Sequence, residues 1–199
     1  CIAGLRTCFE NLGADVILAD AGDFSQGNPY VNTSKGLSAI EMMNAAKYDV
    51  ATIGNHEFDF GYPQLKENIS KALFPVICSN VTLDETGESI LPPSAVITTK
   101  SGLKIGFVGM DTPETVSKVN PGLIRMLSFA PAEQMPEIAR KAVDGIRADC
   151  DLVFGLFHLG VDAEQMSDGS SSRELLKKVT GIDMVLDGHN HTAMTAGQD

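Results

Sequence analysis

Basic residues are scarce in this sequence: 15 Lys and Arg stand against 26 Asp and Glu, for a net charge of -11. Holding a nucleic-acid backbone needs clustered Lys and Arg, so a nucleic-acid partner is not expected. A phosphate-bearing small molecule stays admissible, because bound metal ions reverse the local charge. No apolar run reaches the roughly 18 residues that a membrane-spanning helix needs, so no transmembrane segment is expected. No signal peptide is visible either, yet the chain opens on Cys1 instead of Met, which reads as a piece of a longer protein. The four cysteines, Cys1, Cys8, Cys78 and Cys150, make no CxxC pair and stand away from His at ligand spacing, which argues against a zinc knuckle. Cys78, at the end of a strand-like run, reads as a buried small hydrophobe. There is no internal repeat, low-complexity tract or linker.

What is present suits one soluble domain with a substantial core: 199 residues, 43% hydrophobic and 21% charged. Apolar positions Ile2, Leu5, Phe9 and Leu12 recur at helical spacing, with Gly13 as the stop. A strand is expected over Val16–Ala19, then a loop at Asn28-Pro29. A helix follows from an N-cap at Ser34 to Ala46. Further strands are expected over Val50–Ile53, Pro75–Cys78, Asp151–Phe157 and Asp183–Leu186. Ala95–Thr99 and Leu103–Val108 read as a hairpin around Ser101-Gly102. Helices are expected over Pro63–Leu73, Pro131–Ala148 and Ser172–Val179, with a polar stretch at Thr82–Pro93 and a flexible loop at Gly160–Ser172. The alternation of strands and helices indicates an α/β domain.

The chemistry concentrates at strand exits. Gly54-Asn55-His56-Glu57-Phe58-Asp59 follows the apolar run Val50–Ile53, and Gly54 allows a sharp turn there. The plainer alternative is a polar turn whose Asn55 and Asp59 cap local backbone, with Glu57 as a solvated turn residue. Against that stands the placement of the histidines. The chain has only four, His56, His158, His189 and His191, and all lie just beyond expected strands, in three separate turns. Ligands in open α/β sheets bind beyond the carboxyl ends of the strands. Asp23, Asn55, His158, His189 and His191 thus form a set of carboxylate, amide and imidazole donors suited to Zn²⁺, Mn²⁺ or Fe and not to Ca²⁺. Five donors exceed one tetrahedral site, which points to two ions sharing a carboxylate bridge at Asp23. Two ions about 3.5–4 Å apart generate hydroxide and stabilise an in-line displacement, the chemistry of phosphoester hydrolysis.

Asp20-Ala21-Gly22-Asp23, Gly54-Asn55-His56-Glu57-Phe58-Asp59, Phe157-His158-Leu159-Gly160 and Asp187-Gly188-His189-Asn190-His191-Thr192 resemble the calcineurin-like metallophosphoesterases. The likeness is to the catalytic domain of the bacterial 5′-nucleotidase, UDP-sugar hydrolase and 2′,3′-cyclic-nucleotide phosphodiesterase group. It covers nearly the whole chain, in order. It implies a four-layer α/β/β/α sandwich of two mixed sheets. It also implies two divalent ions of the Zn, Mn, Fe or Mg class: Asp23 as bridge, Asn55, His158 and His189 completing one site, His191 in the other. His56 and Asp59 match the family's catalytic dyad, with Asn55 and His56 facing the substrate phosphate.

The resemblance also implies what is absent. An Asp-x-His pair on a preceding strand and a C-terminal substrate-binding domain belong to the family pattern and are not in residues 1–199. The expectation is a catalytic domain that by itself binds one ion at most and turns over poorly. The substrate implied is a 5′-nucleotide or related phosphate ester. The alternatives within the fold are a cyclic phosphodiester, a UDP-sugar or a thiosulfate ester, and outside catalysis a metal-binding module. A periplasmic, cell-wall or secreted location is implied by resemblance alone.

Overall fold

The computed structural model describes residues 2–161 and 170–194. Helix α1 covers Ile2–Asn11, as its periodicity predicts, but none of its residues is buried. Ile2, Leu5, Phe9 and Leu12 face outward, between 49% and 76% exposed. The helix is anchored through a polar residue instead. Arg6 forks onto Asp49 at 2.9 and 3.2 Å and also donates to the Lys47 carbonyl. A bidentate guanidinium–carboxylate pair that is largely withdrawn from water is stronger than an exposed one, so this contact sets the docking of α1.

Three short parallel strands form the first sheet: β1 (Ala19–Asp20), β2 (Val50–Thr52) and β3 (Val76–Ile77), in the order β1-β2-β3. Between β1 and β2 lie α2 (Pro29–Thr33) and α3 (Leu37–Ala46), and α4 (Tyr62–Ile69) joins β2 to β3. Ser34 does not cap α3. It closes α2, and Gly36, left-handed at φ 89°, precedes α3, with the Ser34 hydroxyl accepting the Ser38 N–H. Ile40, Met43 and Leu65 from these helices pack on Ala51, Ile53 and Val76 of the first sheet and its strand exits.

The second sheet is mixed, in the order β5-β6-β8-β9: β5 (Ser94–Thr98) runs antiparallel to β6 (Lys104–Asp111), which pairs in parallel with β8 (Leu152–His158) and through it β9 (Met184–Asp187). The hairpin is therefore as the Ser101-Gly102 turn predicts. Two strands, β4 (Val81–Leu83) and β7 (Leu127–Phe129), make a small antiparallel ribbon, and the short helices α5 (Thr115–Lys118) and α6 (Pro121–Ile124) fill the segment before β7. Helix α7 runs Met135–Arg147, four residues later than Pro131 suggests, because Gln134 N–H closes a turn on the Pro131 carbonyl. Its Met135, Ala139, Ala142 and Val143 join Leu175 of α8 (Ser172–Leu176) over Val108, Val153 and Phe157. Most of the Gly160–Ser172 loop lies outside the described residues.

The two sheets meet face to face through Val50 and Ile77 on one side and Ile105, Phe107 and Leu156 on the other. The layers are thus helix, sheet, sheet, helix, as the resemblance implies, but among the described residues only the second sheet is mixed, the first pairing its three strands in parallel alone. Each fully buried Phe, Ile or Leu in this seam contributes roughly 1.5–3 kcal/mol, so packing outweighs the isolated surface ion pairs. Gly109 sits where the two sheets lie close together: a Cβ there would stand 2.5 Å from the Ile77 carbonyl oxygen. The Ser79 hydroxyl and N–H both donate to the Gly109 carbonyl, at 2.7 and 2.9 Å, so the backbone cannot retreat freely. Gly109→Ala should lower stability by about 1–3 kcal/mol, seen as a reduced urea midpoint at unchanged slope. An unaltered midpoint would mean that the sheets have room to part.

Candidate active site

Two turns at the carboxyl ends of β1 and β2 build the floor of the site. The chain leaves β1 through Ala21-Gly22 into Asp23, whose φ of 68° is left-handed. It leaves β2 through Gly54 into a single 3₁₀ turn, Asn55–Phe58. A Cβ on Gly54 would meet Asp23 Oδ1 at 2.5 Å and the His158 ring at 2.7 Å, so only glycine fits between the two turns. They are stitched together by Glu57, which is 2% exposed. Its Oε2 accepts the N–H of Gly54 at 2.6 Å and of Asp23 at 2.7 Å, and its Oε1 accepts that of Ser25 at 2.9 Å. This corrects the reading of Glu57 as a solvated turn residue. Burial, with the Asp23 charge adding, pushes its carboxyl up to about 7, against the pull of the three N–H donors.

Strand β8 carries His158 in from the second sheet. Along β8, Val153 and Phe157 belong to the helix-facing core, while Leu152, Phe154 and Leu156 belong to the seam between the sheets. His158 continues the inward parity one step past Leu156. It is 1% exposed, its Nδ1 is 2.6 Å from the Ala21 carbonyl and its Nε2 is 3.0 Å from Asp23 Oδ2. Burial disfavours the charged ring, yet Asp23 and Asp111 beside it raise His158 to about 9, and Asp23 is held low by the same contact despite its own burial. Asp111, at the end of β6 and in register with His158, is fully buried; burial pushes it up to about 8, while the Thr115 hydroxyl donates to its Oδ2 at 2.7 Å.

After β9 the chain turns through Gly188 to His189, whose Nδ1 lies 3.0 Å from Asn55 Oδ1 and whose ring centroid is 5.1 Å from that of His158. Asp23, Asn55, His56, His158 and His189 are therefore brought to one place. His191 is exposed two residues on, lining a depression with Asp187, His189 and Asn190, and among the described residues it makes no hydrogen bond or ion pair with Asp23. Five non-glycine residues adopt left-handed φ among the described residues, and Asp23, His189 and His191 are three of them. Such backbone costs on the order of 1–3 kcal/mol each and persists only where the surrounding structure holds it.

Beside the donors lies the pair expected of His56 and Asp59. His56 N–H donates to Asp23 Oδ1 at 3.0 Å, His56 Nδ1 is 2.7 Å from Asp59 Oδ2, and Gln26 Nε2 donates to the same carboxylate oxygen at 3.0 Å. The imidazole is 44% exposed, and among the described residues its Nε2 has no hydrogen-bond partner.

Among the described residues no three His, Cys, Asp or Glu side chains form a metal-holding cluster by themselves. The donors come instead as two pairs, Asp23 with His158 and the amide Asn55 with His189, each 3.0 Å apart. Neighbouring donors on a divalent ion with bonds of about 2.1 Å stand roughly 3.0–3.4 Å apart. His158 Nε2 is buried and makes no hydrogen bond of good geometry despite its nearness to Asp23. The residues present fit a divalent ion in donor type, spacing and the orphaned nitrogen. Two contributors escape the sequence reading: Glu57, whose burial could be suspected from its place between the apolar exit of β2 and the buried Phe58, and Glu114, 3.0 Å from His189 Nε2, which no motif marks.

The family model for calcineurin-like phosphoesterases matches residues 1–193. A 2′,3′-cyclic-nucleotide 2′-phosphodiesterase/3′-nucleotidase of Haemophilus influenzae is 32% identical over 88% of this chain and 29% of its own length. The snake venom 5′-nucleotidase of Crotalus adamanteus is 30% identical over 92% of this chain and 30% of its own. The chain thus spans less than a third of these curated relatives. The crystal structure of the calcineurin-like phosphoesterase YfkN from Bacillus subtilis superposes with a TM-score of 0.83 at 26% identity, covering 98% of this chain and 64% of that one. The match runs through all the strand exits that gather the site residues, and the chain belongs to the calcineurin-like phosphoesterase family.

Proposed function

We propose that this chain carries the catalytic site of a metal-dependent hydrolase of phosphate monoesters, with 5′-nucleotides as the preferred substrate class. The observation that carries the reading is the convergence of the two donor pairs, Asp23/His158 and Asn55/His189, beside an imidazole held by a carboxylate. Divalent ions bound there would lower the pKa of water and neutralise phosphate charge. The remaining work falls to the chain. Asp59, fixed by Gln26, orients the His56 ring. His56 Nε2 then presents a donor to a phosphoryl oxygen as charge builds on it. Asn55, 5% exposed and carried on the same turn with its Oδ1 3.0 Å from His189 Nδ1, would meet the phosphate through its amide. Glu57 keeps the Asp23 and Asn55 turns at one separation. A 2′,3′-cyclic phosphodiester is the second substrate class, favoured by the Haemophilus influenzae relative.

Metal content with melts in Mn²⁺ or Zn²⁺ and in chelator, alongside phosphate release from AMP, cyclic nucleotides, UDP-sugars and a thiosulfate ester, tests the reading on this chain and on any longer protein containing it. Bound ion and a raised melting temperature that is lost in His189→Ala are the expected result. Absence of ion in every preparation would sink the metal-dependent reading. His56→Ala should keep the ion and lose about 10²–10⁴-fold in kcat, whereas an unaffected rate would remove His56 from the chemistry.

Glu57→Gln replaces one acceptor oxygen by a donor facing the backbone N–H groups, and should cost about 1–3 kcal/mol together with ion affinity. The pH dependence has a definite sign. The carboxyl titrates near 7 when folded against an ordinary 4.5, so the folded chain holds that proton more tightly. The stability it contributes is present below 4.5 and is lost as pH rises to about 7, so the deficit of Glu57→Gln should shrink across that window. Chemical denaturation at several pH values reads it directly, and a deficit that grows with pH would contradict the assignment.

A further inference from the structure

We propose that Glu114 is a positioning residue that fixes His189 as its Nε2–H tautomer and thereby turns the Nδ1 lone pair toward Asn55 Oδ1, where a divalent ion is held. The inference rests on the metal-dependent reading given above.

A neutral imidazole has one N–H and one lone pair. The His189 ring, with a side chain 10% exposed, lies between two acceptors: Glu114 Oε2 is 3.0 Å from Nε2, and Asn55 Oδ1 is 3.0 Å from Nδ1. Both contacts cannot be hydrogen bonds of a neutral ring. The carboxylate is the stronger acceptor, so the proton resides on Nε2. That leaves the Nδ1 lone pair facing the amide oxygen at 3.0 Å. Two lone pairs at that distance repel unless positive charge lies between them, so the arrangement suits a cation bound jointly by Nδ1 and Oδ1. Ligating histidines characteristically donate their other nitrogen to a carboxylate, and removal of that partner weakens ion binding about 10–100-fold.

Glu114 is itself held on both sides. Its N–H donates to Thr112 Oγ1 at 3.2 Å, and the next residue, Thr115, ties the helix start to the buried Asp111 at 2.7 Å. Lys118 Nζ lies 3.9 Å from Oε2. The side chain is thus delivered to the ring by the end of β6, across from the strand that delivers His189.

The test uses the ¹⁵N-labelled 199-residue chain, its Glu114→Ala and Glu114→Gln variants, and His189→Ala to assign the ring among four histidines. Long-range proton–nitrogen spectra of ion-free protein at pH 8 report the tautomer, and chelator competition with Mn²⁺ and Zn²⁺ reports affinity. The parent should show His189 with its proton on Nε2. Glu114→Ala should redistribute that proton and bind the ion about 10–100-fold more weakly, at unchanged melting temperature. Glu114→Gln, whose amide oxygen still accepts, should retain the tautomer and most of the affinity. A Glu114→Ala protein with the parent's His189 pattern and affinity overturns the proposal. If the parent binds no ion, the metal-dependent reading fails, and the ion-free tautomer alone decides for or against Glu114.

Discussion

A single buried carboxylate holds the site together. Glu57 takes N–H groups from Gly54, Asp23 and Ser25, so the exits of β1 and β2 are clamped to one point. Burying a carboxylate is costly unless its oxygens are satisfied, and three backbone donors meet that need. The same clamp explains why Asp23 can hold a left-handed backbone: its N–H is fixed by Glu57 and its carboxylate by the His56 N–H. The donor geometry therefore follows from a contact that takes no part in the chemistry.

The second sheet must bring His158 and His189 to that clamped floor, and it does so by register. Pairing of β6 with β8 aligns Asp111 with His158, and pairing of β8 with β9 sets Phe157 beside Asp187, two residues before His189. Gly54 and Gly109 make the approach possible, one between the two turns and one between the two sheets. The site is consequently a product of sheet-on-sheet packing, and its parts come from segments far apart in sequence.

The strand exits were legible because short apolar runs ending in Gly, Asp or His carry a local signal, as at Val50–Asn55 and Asp183–His189. The ribbon of Val81–Leu83 with Leu127–Phe129 was not, since three-residue strands paired over such a distance leave no period to read. Helix α1 was placed correctly by Ile2, Leu5, Phe9 and Leu12, but the side it turns to the protein was set by Arg6 on Asp49, an ion pair that hydrophobic spacing cannot reveal. Glu57 and Glu114 illustrate the same limit within the site. A buried acid and an exposed one look alike in sequence until the backbone N–H groups or the ring they serve are in place.

The alternation along β8 has an evolutionary consequence. Because Leu152, Phe154 and Leu156 face the seam and His158 continues their phase, loss or gain of one residue anywhere in this strand would carry the imidazole to the helix-covered side and bring Phe157 inward. The strand can thus drift in composition but not in length. Descendants of this chain are free to vary loops such as the polar stretch around Thr86, while the distance from Leu152 to His158 is closed to insertion and deletion.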